Sequence, residues 1–198
     1  MRRSASARIV AVAAALLLLA GCSSDPLADQ YREGSGKDYI AGDGTVETYS
    51  GASRGEPVSF GGETDDGSEF SSDDALGEVV VVNFWYAQCP PCRAEAADLQ
   101  SLSDEFEPDG VQFVGVNTRD EAGTAQAFAK QFGVTYPSVL DYKEAGVQLA
   151  FSSSIPPNAV PTTLVLDRQG RVAARILGQV TEPTTLETII RETAAETD

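Results

Sequence analysis

The chain has 198 residues, 42% of them hydrophobic, which suits one domain with a sizeable core plus targeting and linker sequence. It carries 14 basic and 30 acidic side chains and no histidine, a formal charge of −16, and loss of a leader holding Arg2, Arg3 and Arg8 would leave −19. That balance argues against nucleic acid as a partner; a basic protein substrate would be attracted, although an acidic surface more often serves solubility alone.

Arg2, Arg3 and Arg8 precede an apolar run over 9–20, too short and too soon followed by polar residues for an ordinary membrane-spanning helix, so 1–21 read as a signal peptide. Its end, Leu19-Ala20-Gly21-Cys22, resembles the bacterial lipobox. That resemblance implies that Cys22 is lipidated and becomes the mature N-terminus, a membrane anchor and not a third redox thiol. The alternative is an uncleaved signal anchor with a free Cys22. On either reading the domain lies outside the cytoplasm, where disulfides persist. Residues 22–43, polar and glycine-rich, read as a flexible linker, followed by a domain over 44–198. Short alternating segments at 46–49, 57–61 and 68–71, the last two separated by Glu63-Thr-Asp-Asp-Gly67, predict an N-terminal β-hairpin. Asp73-Asp-Ala-Leu-Gly77 turns the chain into 79–86, apolar on both faces as a central strand covered by helices should be.

That strand runs straight into Cys89-Pro90-Pro91-Cys92. Sulfurs three residues apart reach bonding distance when the first sits at a helix end and the second one turn inside, as a strand-to-helix junction allows. Cys89 then takes the N-cap, and Pro90 and Pro91 the first two helical positions, where a missing N–H costs little and the fixed φ suits a helix. A Cys89 thiolate would feel the positive end of the helix dipole and could accept the Cys92 amide hydrogen. Both effects lower its pKa and make it the attacking sulfur, with Cys92 resolving the mixed disulfide. The prolines also remove two amide donors from beside the thiolate, which predicts a pKa only moderately depressed and a couple on the reducing side. A zinc half-site would need further ligands, but the chain has no histidine and its one other cysteine is Cys22. A purely structural disulfide closing so small a loop would stabilise little.

Ala94, Ala97, Leu99, Leu102 and Phe106 recur at roughly helical spacing until Pro108-Asp-Gly110 stops the helix. A second central strand is predicted over 111–116, a helix over 121–131, a short strand over 136–140 and a short helix over 145–151. This βαβαβ order predicts a parallel core with right-handed crossovers. Residues 160–166 and 171–177, joined by Asp167-Arg-Gln-Gly170, read as an antiparallel hairpin, and 182–195 as a helix with Leu186, Ile189 and Ile190 inward. The fold class is therefore α/β, a central mixed sheet flanked by helices.

A βαβ unit followed by ββα, with Phe84-Trp85 leading into the Cys pair and Val160-Pro161-Thr162 opening the later hairpin, resembles thioredoxin. More closely it is similar to the membrane-tethered, extracytoplasmic thioredoxin-like reductases of the TlpA/ResA type. The resemblance runs from residue 44 to the end and implies an N-terminal hairpin over 46–71 and a central helix-and-strand insertion over 120–140. It further implies that Pro161 is cis against the disulfide, that the Val160 backbone pairs with substrate, and that Glu95 assists proton transfer at the thiols. Trp85 packs under the site and, with Gln88, borders the substrate. Asn83 stands where thioredoxin has a buried aspartate, so the proton-managing carboxylate is expected at Glu95. Gln88 stands where relatives carry an aromatic residue, which leaves substrate preference and potential open.

The implied activity is reduction of disulfides in secreted or membrane proteins, apocytochrome c before haem attachment among them. Reducing equivalents would come from an integral membrane thiol donor, and no tightly bound cofactor is needed. Rival readings are the same site run backwards as a disulfide-introducing oxidase, a thiol peroxidase and a redox-inert lipoprotein adaptor. The peroxidase would want Pro and Thr upstream of the attacking cysteine, where Val82 and Tyr86 stand. A copper chaperone would want histidine.

Overall fold

The structure is a computed structural model that describes residues 45–156 and 158–196. The signal peptide, Cys22 and the linker expected over 22–43 lie outside the described residues. In chain order the elements are β1 (Thr45–Thr48), β2 (Gly61–Glu63), β3 (Glu69–Ser71), β4 (Val80–Trp85), α1 (Pro90–Phe106), β5 (Gln112–Asn117) and α2 (Ala122–Phe132). They continue with β6 (Ser138–Leu140), α3 (Gly146–Ala150), β7 (Thr162–Leu166), β8 (Val172–Leu177) and α4 (Pro183–Ala195).

One sheet of six strands runs in the order β1-β8-β7-β4-β5-β6. β4, β5 and β6 are parallel, and the β4–β7, β7–β8 and β8–β1 pairs are antiparallel. This is the mixed sheet of the thioredoxin-like fold. β4 sits inside it, and its six residues are all buried. Alternation splits them between two cores. Val80, Val82 and Phe84 pack with Val114, Phe151 and Leu164 on one face, while Val79 and Val81 meet Leu99, Phe106, Leu186 and Ile190 of α1 and α4 on the other. β5 lies parallel beside β4, so the loops that follow the two strands emerge at the same end.

Two sequence expectations are corrected. The hairpin is confined to β2 and β3, around a turn at Gly67 in the left-handed region (φ 84°). The first segment joins the main sheet instead, pairing antiparallel with β8 from Thr45↔Leu177 to Thr48↔Ala174. The outer edge of β8 needed a partner, and Glu47 is drawn to Arg175 directly across the strands, at 2.8 Å. The helical phase of α1 also differs: Ala94 and Ala97 are exposed, whereas Cys92, Glu95, Ala96, Leu99, Leu102 and Phe106 are buried.

The β2–β3 hairpin lies along β6. Thr64 bridges Val139, Asp65 N donates to Ser138 O at 2.9 Å, and Ser138 N donates to Asp65 Oδ1 at 3.0 Å. Ser138 also accepts the Trp85 indole N–H at 3.2 Å, a bond that passes over Gly115 of β5. A Cβ on Gly115 would overlap Ser138 Oγ and stand 2.7 Å from Trp85 Nε1. Gly115→Ala should therefore lose about 1–3 kcal/mol of stability and change Trp85 emission, read together in guanidinium unfolding. A midpoint equal to that of the parent would contradict this packing.

Candidate active site

The end of β4 delivers the Cys pair to the start of α1. Cys89 is the N-cap, with extended backbone (φ −74°, ψ 111°), and Pro90 and Pro91 open the helix. Cys92 N donates to Cys89 Sγ at 3.2 Å, and the two cysteines are disulfide-bonded with Cα atoms 5.3 Å apart. Because the prolines carry no N–H, the Cys92 amide is the first helical donor available to Cys89. Cys89 is 0% and Cys92 2% exposed, enclosed with Trp85, Tyr86, Ala87, Phe128 and Val160. A partner therefore reaches Cys89 Sγ only when side chains at this rim shift.

The Val160–Pro161 peptide is cis, and Val160 packs in the same cluster as both cysteines. Pro161 O accepts from Gly178 N at 2.9 Å, which fixes the bend at the entry to β7. Beside Val160 opens a groove of about 270 Å³ lined by uncharged residues, Phe84, Thr118, Leu149 and Ile155 among them. Leu149 on its rim is 73% exposed. Gln88 is exposed immediately before Cys89. Trp85, expected beside the substrate, is inside: its N–H goes to Ser138, and its ring packs on Phe128 with centroids 4.3 Å apart. It packs in one cluster with Cys89 and supports the loop from beneath.

Glu95 is fully buried on the inner face of α1. Its Oε1 accepts from Asn83 Nδ2 at 2.9 Å and its Oε2 from Val180 N at 2.8 Å, while Asn83 Nδ2 also meets Thr163 Oγ1 at 3.1 Å. Burial pushes the Glu95 carboxyl up to about 7, against the pull of the two donors. Asn83 thus holds one oxygen of this buried carboxyl directly. Among the described residues no three of His, Cys, Asp and Glu gather as a metal site.

The loop after β5, Asn117-Thr-Arg-Asp120, is not among the site residues expected from the sequence. In the structure that loop grips the segment before Cys89: Thr118 N donates to Trp85 O at 3.0 Å and Ala87 N to Asp120 Oδ2 at 2.6 Å. Asn and Asp at the end of a strand parallel to β4 were the available signal, since such residues bind neighbouring backbone.

Residues 54–190 match the Redoxin family. The chain is 29% identical over 127 residues to the thiol-disulfide oxidoreductase ResA of Halalkalibacterium halodurans, an overlap of 64% of this chain and 69% of that protein. It is 30% identical to ResA of Bacillus subtilis, covering 61% of this chain and 64% of the relative, so the match spans about two thirds of these relatives' length. Among solved structures it is similar to a DsbF homologue from Corynebacterium diphtheriae, with a TM-score of 0.67 at 34% identity over 78% of this chain and 98% of that one.

Glu95 holds its proton in the folded protein up to about pH 7, whereas its ordinary value is 4.5. Across that interval the folded state binds the extra proton and the unfolded chain does not, so the contribution of Glu95 to stability falls as pH rises, by about 3 kcal/mol in all, and levels off above the folded value. Denaturant unfolding of the oxidised protein should therefore show wild type losing ground to Glu95→Gln from pH 4.5 to 7. A difference that stays constant with pH would contradict a proton-holding Glu95.

Proposed function

The chain belongs to the redoxin family, and from that footing we propose that it is a thiol-disulfide oxidoreductase tethered outside the cytoplasm through Cys22, reducing disulfides in secreted or membrane proteins. The observation that carries this reading is the Cys89–Cys92 disulfide at the start of α1, with Cys89 Sγ at the helix end accepting the Cys92 amide.

In the reduced protein the Cys89 thiolate attacks one sulfur of a client disulfide. The client S–S bond breaks, a Cys89–client disulfide forms, and the other client sulfur leaves as a thiolate. Cys92 then gives up its proton and attacks Cys89 Sγ. The client leaves with both sulfurs reduced, and Cys89–Cys92 is left oxidised, two electrons having passed to the client. Glu95, the buried carboxyl nearest in sequence to the pair, takes the Cys92 proton; a group poised near neutrality can accept and release it at working pH. An integral membrane thiol donor restores the dithiol. The client strand lies along the Val160 backbone, and the adjoining uncharged groove receives apolar side chains beside the client's cysteine. Apocytochrome c is one client that the TlpA/ResA resemblance implies.

Two measurements test the proposal. Cys92→Ser should accumulate mixed disulfides through Cys89, and Cys89→Ser should abolish exchange; exchange surviving in Cys89→Ser would overturn Cys89 as the attacking thiol, and a wild type without exchange activity would leave only an adaptor role. Equilibrated in dithiol/disulfide buffers, the couple should poise at or below about −230 mV, as two prolines beside the thiolate predict. A value near about −120 mV would reverse the direction and make the protein an oxidase.

A further inference from the structure

The residues before Cys89 are fixed from outside their own strand and helix. Cys89 N closes a turn on Tyr86 O at 3.2 Å, and Pro90 and Pro91 offer no amide to hold it further. The amide at the start of that turn, Ala87 N, points instead to Asp120, at 2.6 Å from Oδ2. The same oxygen accepts Asn117 Nδ2 at 3.0 Å. Asn117 is 0% exposed at the end of β5, and its Oδ1 accepts from Asp120 N at 2.7 Å and Arg119 N at 3.0 Å. Trp85 O is held by Thr118 N, and the Arg119 guanidinium lies over the Tyr86 ring, 4.1 Å from its centroid. The turn that carries the attacking sulfur is thus clamped to β5, the neighbour of the strand it leaves.

We propose that Asp120 is a positioning residue for the redox reaction: by accepting Ala87 N–H it holds the Cys89 turn in the geometry that lets Cys92 close the disulfide, and so sets the couple's equilibrium. The inference rests on the dithiol reading above. Ring closure is an intramolecular attack by Cys92 on Cys89 Sγ, and its advantage over attack by a free thiol is the effective concentration that the fold confers. A turn released from Asp120 samples geometries in which the sulfurs do not meet, which lowers that concentration and disfavours the disulfide relative to the dithiol. Both hydrogen bonds converge on one carboxylate oxygen, so the carbonyl of an asparagine can accept them both. The neutral side chain therefore separates the acceptor from its charge.

The test is the equilibrium of the full protein with glutathione, in which one protein dithiol and one oxidised glutathione give the protein disulfide and two reduced glutathiones. Asp120→Ala should lower that constant about tenfold, which is about 30 mV toward a less negative potential for this two-electron couple. Asp120→Asn should stay within about twofold of wild type. An Asp120→Ala constant within twofold of wild type, or shifted the other way, overturns the proposal; so does Asp120→Asn behaving like Asp120→Ala, which would assign the effect to charge. Should Asp120→Ala fail to fold, amide exchange decides: Ala87 N–H must be protected in wild type and in Asp120→Asn, and exchange at the rate of an unstructured peptide overturns the clamp. Wild type failing to equilibrate with glutathione at all would instead sink the redox reading itself.

Discussion

The register of β4 is the constraint on which the site depends. With β7 on one side, β5 on the other and a core on each face, this strand has no freedom to slide, because a shift of one residue would send Val80, Val82 and Phe84 to the face that Val79 and Val81 fill. The point where it ends is fixed by the same packing. Cys89 therefore appears at the mouth of α1 as a consequence of burying Val80–Trp85, and the disulfide inherits its placement from the most buried part of the molecule. Cavity-forming changes along β4, far from either sulfur, should then be felt at the thiols.

Much of this was legible because the chemistry and the packing use the same residues. The apolar run before Cys89, the proline pair and Val160-Pro161 each carry a local signature, and the helices that follow keep a 3.6-residue period. What escaped was non-local or depended on phase. Nothing within 45–48 says that its partner is β8, more than a hundred residues away; alternation marks a strand but not its neighbour. In α1 the alanines misled, since Ala94 and Ala97 cost little whether in or out. Cys92 should have set the phase: it must face the core for its sulfur to meet Cys89, and Glu95, three residues on, shares that face. A glutamate in the second turn of a helix reads as a surface charge until the residue ahead of it is known to point inward. Asp120 escaped for another reason, since its partner is a main-chain N–H and main-chain donors leave no trace in a sequence.

Glu95, Asn83 and Thr163 form a polar column through an otherwise apolar interface between α1 and the sheet. Such a column is tolerated because its members satisfy one another. Glu95 has a donor on each oxygen, one from β4 and one from the backbone at Val180, so α1, β4 and the segment before α4 meet at a single carboxyl. Inside a low-dielectric core the charge on that carboxyl is costly even when bonded, which leaves it divided between its two protonation states near neutrality. The group is thus a structural junction that also titrates near neutrality, and the two properties share one cause, its burial.

The placement of the β2–β3 hairpin has a consequence for self-association. A twisted sheet ends in two rows of unpaired backbone groups, and each is a template for a passing extended chain. Here β6, only three residues long, has the hairpin laid against it through Thr64 and Asp65, and the opposite side finishes in the four residues of β1, with Glu47 among them. Neither border offers a long, flat, apolar ladder. For a protein proposed to act on other polypeptide chains, that matters: an open border would recruit them by indiscriminate strand addition and seed aggregates. With both borders blunted, the proposed alignment of a client along Val160 meets little competition from strand addition at a sheet edge.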